Sequence, residues 1–318
     1  MKQKPEGSER DAMTAEVPKA VPKASDETPE IKLIAFDQDD TALLPDGKPS
    51  SEGLHAIEAA LEQGLVVSSV SGRNIDRSCE PFSDARQLFD RLYVIANNGG
   101  IILGPVRQGQ RPLLFEKRIQ RDVFLDLLDF IEENGFNFVY SWLRVTESGP
   151  LDSVITNEYT PSIASIEEQS RAAVDRDDAL MARLRQGDYP PPPKMLILPG
   201  LDRREAVLAD LNARFASRLY LVKTNPDRIE AMHADVNKKV AVEFVAREHG
   251  ISMDHVMAVG DGDNDLPMLF NAGLGVIMEN AQDAVKDAGR AQGLVIAPPN
   301  HENGFAWAIR RYALNNGH

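Results

Sequence analysis

Residues 31–44 read IKLIAFDQDDTALL, an apolar, β-forming run that ends in three aspartates within four positions. Ile31, Leu33, Ile34, Ala35 and Phe36 lack the alternation of a half-wetted strand. The run therefore predicts a strand buried on both faces, the situation at the centre of a parallel sheet clad by helices. Asp37, Asp39 and Asp40 then crowd negative charge at the strand's exit, where they repel unless a cation or a compensating network is present. A hard divalent ion such as Mg²⁺, which takes oxygen ligands, meets that need. Side chains i and i+2 of an extended segment point the same way, so Asp37 and Asp39 are expected to share one small site while Asp40 points elsewhere. An acidic turn that caps the following helix would use the same residue types. Only partners further along the chain separate the two.

Those partners arrive in order. A loop with Pro45, Gly47 and Pro49 leads into helical spacing at Ser51, Leu54, Ile57, Ala60 and Leu61, closed by Gly64. Leu65 to Val70 is a second buried strand, so strand, helix and strand form a right-handed parallel crossover. It ends in Ser71-Gly72-Arg73, a hydroxyl, a residue that lets backbone approach closely, and a planar cation suited to phosphate. A third strand, Leu92 to Ala96, is followed by Asn97-Asn98-Gly99-Gly100, a hairpin-type turn in which Asn98 is a candidate ligand contact. Near Asn237, Lys238 and Lys239 open a helix, where cations oppose the helix dipole unless an anion waits beside them. Val256 to Val259 is another buried strand, and it exits into Gly260-Asp261-Gly262-Asp263-Asn264-Asp265. That cluster asks again for a cation; a calcium loop does not fit, because the sixth and twelfth loop positions lack the glycine and glutamate it needs.

Between the two halves of this pattern, residues 107–232 change character: helices near 122–134, 177–185 and 203–214, strands near 136–143, 154–155 and 195–198, a Pro190–Pro193 spacer and a hairpin around Asn225-Pro226-Asp227. We expect an α/β protein: a doubly wound, Rossmann-like parallel core over 31–106 and 233–318, and an inserted α+β cap over 107–232. Residues 1–30, rich in Lys, Glu, Pro and Ala, are expected to be a disordered tail. With 318 residues and a formal net charge of −14, the chain is poorly suited to nucleic acid or an anionic membrane surface. It has no apolar run long enough to span a bilayer. A lone Cys79 excludes an internal disulfide and a Cys-based zinc site, and with no secretory leader evident a reducing cytoplasm is expected. No sequence feature specifies an oligomeric interface.

An acidic strand end, Ser-Gly-Arg, a lysine at a helix start and then GDGDNDLPML, in that order, resemble the haloacid dehalogenase superfamily of phosphohydrolases, and more narrowly its Cof-type branch with a large α/β cap. The resemblance runs from Ile31 to Tyr312. It implies an Mg²⁺-dependent phosphatase acting on a small phosphorylated metabolite through an aspartyl-phosphate. By position, Asp37 is the nucleophile, Asp39 the general acid and base, and Ser71 and Lys238 the holders of phosphoryl oxygens. Asp261 joins Asp37 and the carbonyl of Asp39 at the metal, with Asp265 and Asn264 in support. Gly72, Arg73 and Asn98 line the substrate side, and Trp142, Arg144 and Lys194 are cap candidates. The chain departs from the family pattern at Asp40 and Glu279, where glycine is usual, at Ala42, where leucine is common, and at Ser71, where threonine is commoner. Asp40 implies a left-handed or constrained backbone and an added charge beside the phosphate. It motivates the alternatives of a catalytically weak phosphate binder on the same fold, while a phosphotransferase would share every motif.

Overall fold

A computed structural model describes residues 29–146, 149–170, 173–224 and 227–314. The tail expected over 1–30 lies outside the described residues except at its end, as does the Asn225-Pro226 turn.

The expected central strand forms as β1 (Leu33–Asp37), buried along its whole length. Leu33 and Ala35 enter one core layer with Val242, Val245 and Met268, while Ile34 and Phe36 enter the opposite layer with Ile57, Phe305 and Ile309. Both faces are covered, which is why the sequence shows no alternation. The chain crosses over through helix Ser51–Glu62, whose cap Ser50 accepts from the Gly53 amide at 3.0 Å. It continues through β2 (Val66–Val70), β3 (Tyr93–Ala96), β4 (Ile101–Leu103) and β5 (Leu113–Glu116).

A second sheet follows, made of β6 (Asn137–Thr146), β7 (Gly149–Thr156), β8 (Asp175–Arg176), β9 (Lys194–Leu198), β10 (Leu219–Thr224) and β11 (Arg228–His233). Its order is β10-β11-β9-β6-β7-β8. Helices Arg121–Asn134 and Arg204–Phe215 bury Phe124, Leu128, Leu211 and Phe215 against Phe138, Ile197 and Ile229. The chain then returns to the first sheet as β12 (Val256–Gly260), β13 (Leu274–Met278) and β14 (Val295–Ala297).

The first sheet is ordered β14-β13-β12-β1-β2-β3-β4-β5. It is parallel from β14 to β3, and the hairpins β3-β4 and β4-β5 add an antiparallel edge. From β1 the chain winds outward through β2 and β3; from β12 it winds the other way through β13 and β14. The junction of β1 and β12 is thus the switch point, and a crevice opens at the carboxyl ends of these two strands.

Two segments differ from expectation. The change of character read at residue 107 precedes the change of sheet, because Arg107 to Gln110 is a tight turn that returns β5 to the edge of the first sheet. The short strand read at Val154–Ile155 is the eight-residue β7, paired with β6 from Val139–Thr156 to Thr146–Gly149. Its Pro150 and Asp152 are poor strand formers by themselves, and the ladder overrides them. Among the described residues, no helix is long and apolar enough to cross a membrane.

Candidate active site

Asp37 ends β1 and Asp261 follows β12, its direct neighbour. Asp265 turns back beneath them, and one carboxylate oxygen from each of the three lies within 4.8 Å of the others. Lys238, the first residue of helix Lys238–Glu248, is 1% exposed. Its Nζ donates to Asp37 Oδ1 and Asp265 Oδ1, each at 2.5 Å. The mismatch of a lysine at a helix N-terminus is thereby resolved by two buried carboxylates. Lys239 instead pairs with Glu243 on the surface at 3.0 Å.

Asp265 has little capacity left for a ligand. Its second oxygen accepts from the amides of Asp261 and Gly262 at 3.0 and 2.9 Å, so it fixes both the lysine and the turn that carries Asp261. Gly260 is required by this packing, since a Cβ there would lie 2.6 Å from the Asp265 side chain. Thr41 Oγ1 donates to Asp261 Oδ1 at 3.0 Å and sets that carboxylate's orientation.

Burial pushes the Asp37 carboxyl well above the usual range; Lys238 opposes this, and Asp265 and Asp261 add to it. Burial likewise lifts Asp261 to about 7, with Asp265 contributing and the Thr41 hydrogen bond opposing. For Lys238, burial works against the charged form, but Asp265 and Asp37 outweigh it and hold the ammonium firmly protonated. Three carboxylates thus face one ammonium, and the excess negative charge is costly where it stands. An all-oxygen donor set of this kind fits a hard divalent cation such as Mg²⁺.

Asp39 is not a member of this cluster. The strand ends at Asp37 and the backbone turns through Gln38–Ala42, so the i, i+2 rule that aligns Asp37 with Asp39 stops applying there. Asp39 is exposed, and Arg73 holds both its oxygens, Nε to Oδ2 at 2.8 Å and Nη2 to Oδ1. Asp40 adopts the left-handed conformation expected of it, with φ 54°, and its carbonyl accepts from Asn280 Nδ2 at 2.7 Å.

Ser71 follows β2, and its hydroxyl accepts from the Arg73 amide at 3.1 Å. Asn98, also left-handed, accepts from Asn264 Nδ2 at 3.0 Å and donates toward Glu230 at 3.4 Å. Lys194 reaches from the second sheet to the Gly72 carbonyl at 3.0 Å and to Glu230 at 3.3 Å. Asp152 Oδ2 accepts from the Ile75 amide at 2.6 Å. These contacts seat the second sheet against the strand ends.

Between them lies a cavity of about 680 Å³. Asp37, Asp39, Gly72, Arg73, Asn98, Asp261 and Asn264 line one wall; Lys194, Arg228 and Glu230, with several aliphatic side chains, line the other. Ser71, Lys238 and Asp265 do not line it: Asp37 and Asp265 draw the lysine inward, and the Ser71 hydroxyl is turned to backbone. Trp142 and Arg144 also fail to reach the cavity. Trp142 packs on Tyr189 with ring centres 5.5 Å apart, and Arg144 lies over the Trp142 ring. Sequence reading missed Arg77, Ser141, Arg228 and Glu230. Only Arg77 carried a usable signal, as a second arginine four residues after Arg73, in the short helix Ile75–Cys79.

The sequence profile of the haloacid dehalogenase-like hydrolases matches residues 34–309. The chain belongs to this family. It is 30% identical over 285 residues to the 5-amino-6-(5-phospho-D-ribitylamino)uracil phosphatase YcsE of Bacillus subtilis, covering 90% of this chain and 97% of that one. A putative phosphatase, YxeH, of the same organism is 27% identical, covering 89% of this chain and 98% of that one. The fold matches TM0651 from Thermotoga maritima with a TM-score of 0.74 at 22% identity, covering 90% of this chain and 98% of that chain. The sugar phosphatase BT4131, of haloacid dehalogenase subclass IIB, matches with a TM-score of 0.68 at 20% identity, covering 88% and 98%. Within the haloacid dehalogenase-like hydrolases, this chain is a phosphatase.

Proposed function

We propose that the chain hydrolyses a small phosphomonoester through a phosphoryl group carried on Asp37. The convergence of Asp37, Asp261 and Asp265 around Lys238, beneath a cavity that holds cationic side chains on both walls, carries this reading. Asp37 and Asp261, with the backbone carbonyl of Asp39, would hold Mg²⁺, which when bound neutralises charge between the carboxylates and the phosphate.

Lys238 keeps Asp37 positioned and compensates its charge, and an Asp37 oxygen attacks phosphorus as the ester P–O bond breaks. Asp39 leaves its pair with Arg73, takes up a proton from solvent, turns into the cavity and gives that proton to the departing oxygen. In the second step Asp39 takes a proton from water as that water attacks the phosphorus, which returns Asp37 and releases inorganic phosphate. Ser71 and the amides around it would contribute hydrogen bonds to the transferring group. The second sheet acts as a cap that excludes water and confines the leaving group, consistent with Lys194 and Asp152 reaching the strand ends.

The cavity suits a metabolite rather than a phosphoprotein. The names of YcsE, YitU and YwtE, all 5-amino-6-(5-phospho-D-ribitylamino)uracil phosphatases of Bacillus subtilis, make phosphorylated polyols with a heterocycle the first class to assay. The test is turnover of 4-nitrophenyl phosphate with Mg²⁺, with EDTA, and by Asp37→Asn. Activity that EDTA removes and Asp37→Asn lacks is expected; turnover unchanged in Asp37→Asn would refute the nucleophile.

A further inference from the structure

Inside the cavity the charges are almost all accounted for. In this arrangement Arg73 is paired with Asp39, Lys194 with Glu230 and Arg228 with Asp227 at 3.0 Å. Arg77 differs. It lines the same cavity and is largely withdrawn from water, yet among the described residues its guanidinium has no hydrogen-bond or ion-pair partner. Burial and the neighbouring Arg73 both push its protonation downward, as expected of a cation that lacks an anion. The nearby acids do not fill the gap, because Asp39 and Glu230 already hold Arg73 and Lys194. Asp40 lies beside Asp261 with its carboxylate in water.

A second orphan faces the same space. Ser141, on β6, is 6% exposed and lines the cavity, and among the described residues its hydroxyl has no hydrogen-bond partner. Around it Val139, Val154, Ile166 and Leu196 form an aliphatic wall. A half-buried guanidinium and a buried hydroxyl that face one cavity without partners among the described residues are complementary to an anion with acceptor oxygens.

Building on the reading above, we propose that the leaving group of the substrate carries a second anionic group, a carboxylate or a further phosphate, bound by Arg77 with the Ser141 hydroxyl, while its carbon skeleton lies on the aliphatic wall. Arg77 is then the specificity-determining residue of the site. The transferred phosphate belongs to Asp37 and Lys238, and the distal anion to Arg77.

The test compares esters matched in skeleton: glycerol 1-phosphate with 3-phosphoglycerate, glucose 6-phosphate with 6-phosphogluconate, fructose 1-phosphate with fructose 1,6-bisphosphate. At least one pair should show kcat/KM about tenfold or more higher for the member with the second anion. Arg77→Met should erase that preference chiefly through KM, and Arg77→Lys should restore part of it. Calorimetric Kd values for the same pairs, measured on Asp37→Asn with and without Arg77→Met, should show the same difference without any turnover. No preference in either readout, or a preference that survives Arg77→Met, overturns the proposal. Absence of turnover with every ester, including 4-nitrophenyl phosphate, would instead remove the phosphatase reading, and the binding difference alone would then decide the role of Arg77.

Discussion

Lys238 Nζ lies 2.5 Å from Asp37 Oδ1 although 201 residues separate them in sequence. The same ammonium holds Asp265, so one buried cation joins β1 to the turn that follows β12. Lys238→Met leaves two buried carboxylates facing each other, and the expected loss of stability is about 3–5 kcal/mol at neutral pH. Urea denaturation measures it. Part of the loss should return on acidification, as the stranded carboxyls take up protons; a loss under about 1 kcal/mol, the size of a surface pair, would contradict this role.

A pH-dependent response to metal follows from Asp261 and Asp37. Both carboxyls are raised in the folded state, Asp261 from 3.8 to about 7. A raised carboxyl favours folding below its unfolded value, and that contribution is lost as pH rises through the folded one. Without metal, this site therefore costs stability between roughly pH 4 and 7 and keeps that cost above it. A divalent cation requires the ionised carboxylates, so Mg²⁺ should raise the melting temperature more at pH 8 than at pH 5.5. Saturation at about a hundred times Kd contributes roughly 2.7 kcal/mol. An equal shift at both pH values would count against these residues as ligands.

Asp39→Asn separates chemistry from structure. The Asp39 side chain is exposed, and although Arg73 is largely buried an asparagine there can still accept from it, so stability should change by less than about 1 kcal/mol. Turnover of an alkyl phosphate should fall roughly 10²–10⁴-fold, because the poor leaving group loses its proton donor. An activated aryl ester should still phosphorylate Asp37 and give a burst of nitrophenol ahead of slow turnover. Equal losses on both esters, with no burst, would remove Asp39 from the acid and base roles.

Asp40 places a carboxylate on the cavity at a left-handed φ of 54°. Glycine accepts that conformation without strain, so Asp40→Gly should leave stability within about 1 kcal/mol. Removing the charge should lower KM for a phosphate ester about two- to fivefold at low ionic strength, and the gain should shrink in high salt. A KM insensitive to both the substitution and salt would mean that Asp40 does not contribute to the field met by the substrate.

The sequence by itself determined the frame. An unbroken apolar run entering Asp37, a second entering Gly260-Asp261, and helical periodicities between strands required a doubly wound parallel sheet, because only burial on both faces accounts for such strands. Turn chemistry at Asn97-Asn98-Gly99 and the helix start at Ser51 were legible for the same reason: they depend on nearest neighbours alone. Tertiary structure decided what side chains at the strand ends actually meet. Whether Asp39 lies beside Asp37 or against Arg73 depends on where the strand stops and how the backbone turns. Whether Lys194 or Trp142 reaches the cavity depends on the pairing of β6 with β7 and β9, and that Arg77 meets no anion among the described residues depends on how the neighbouring charges are spent. Periodicity encodes which face a residue takes; it carries no information about the partner that another element, a hundred or more residues away, brings to that face.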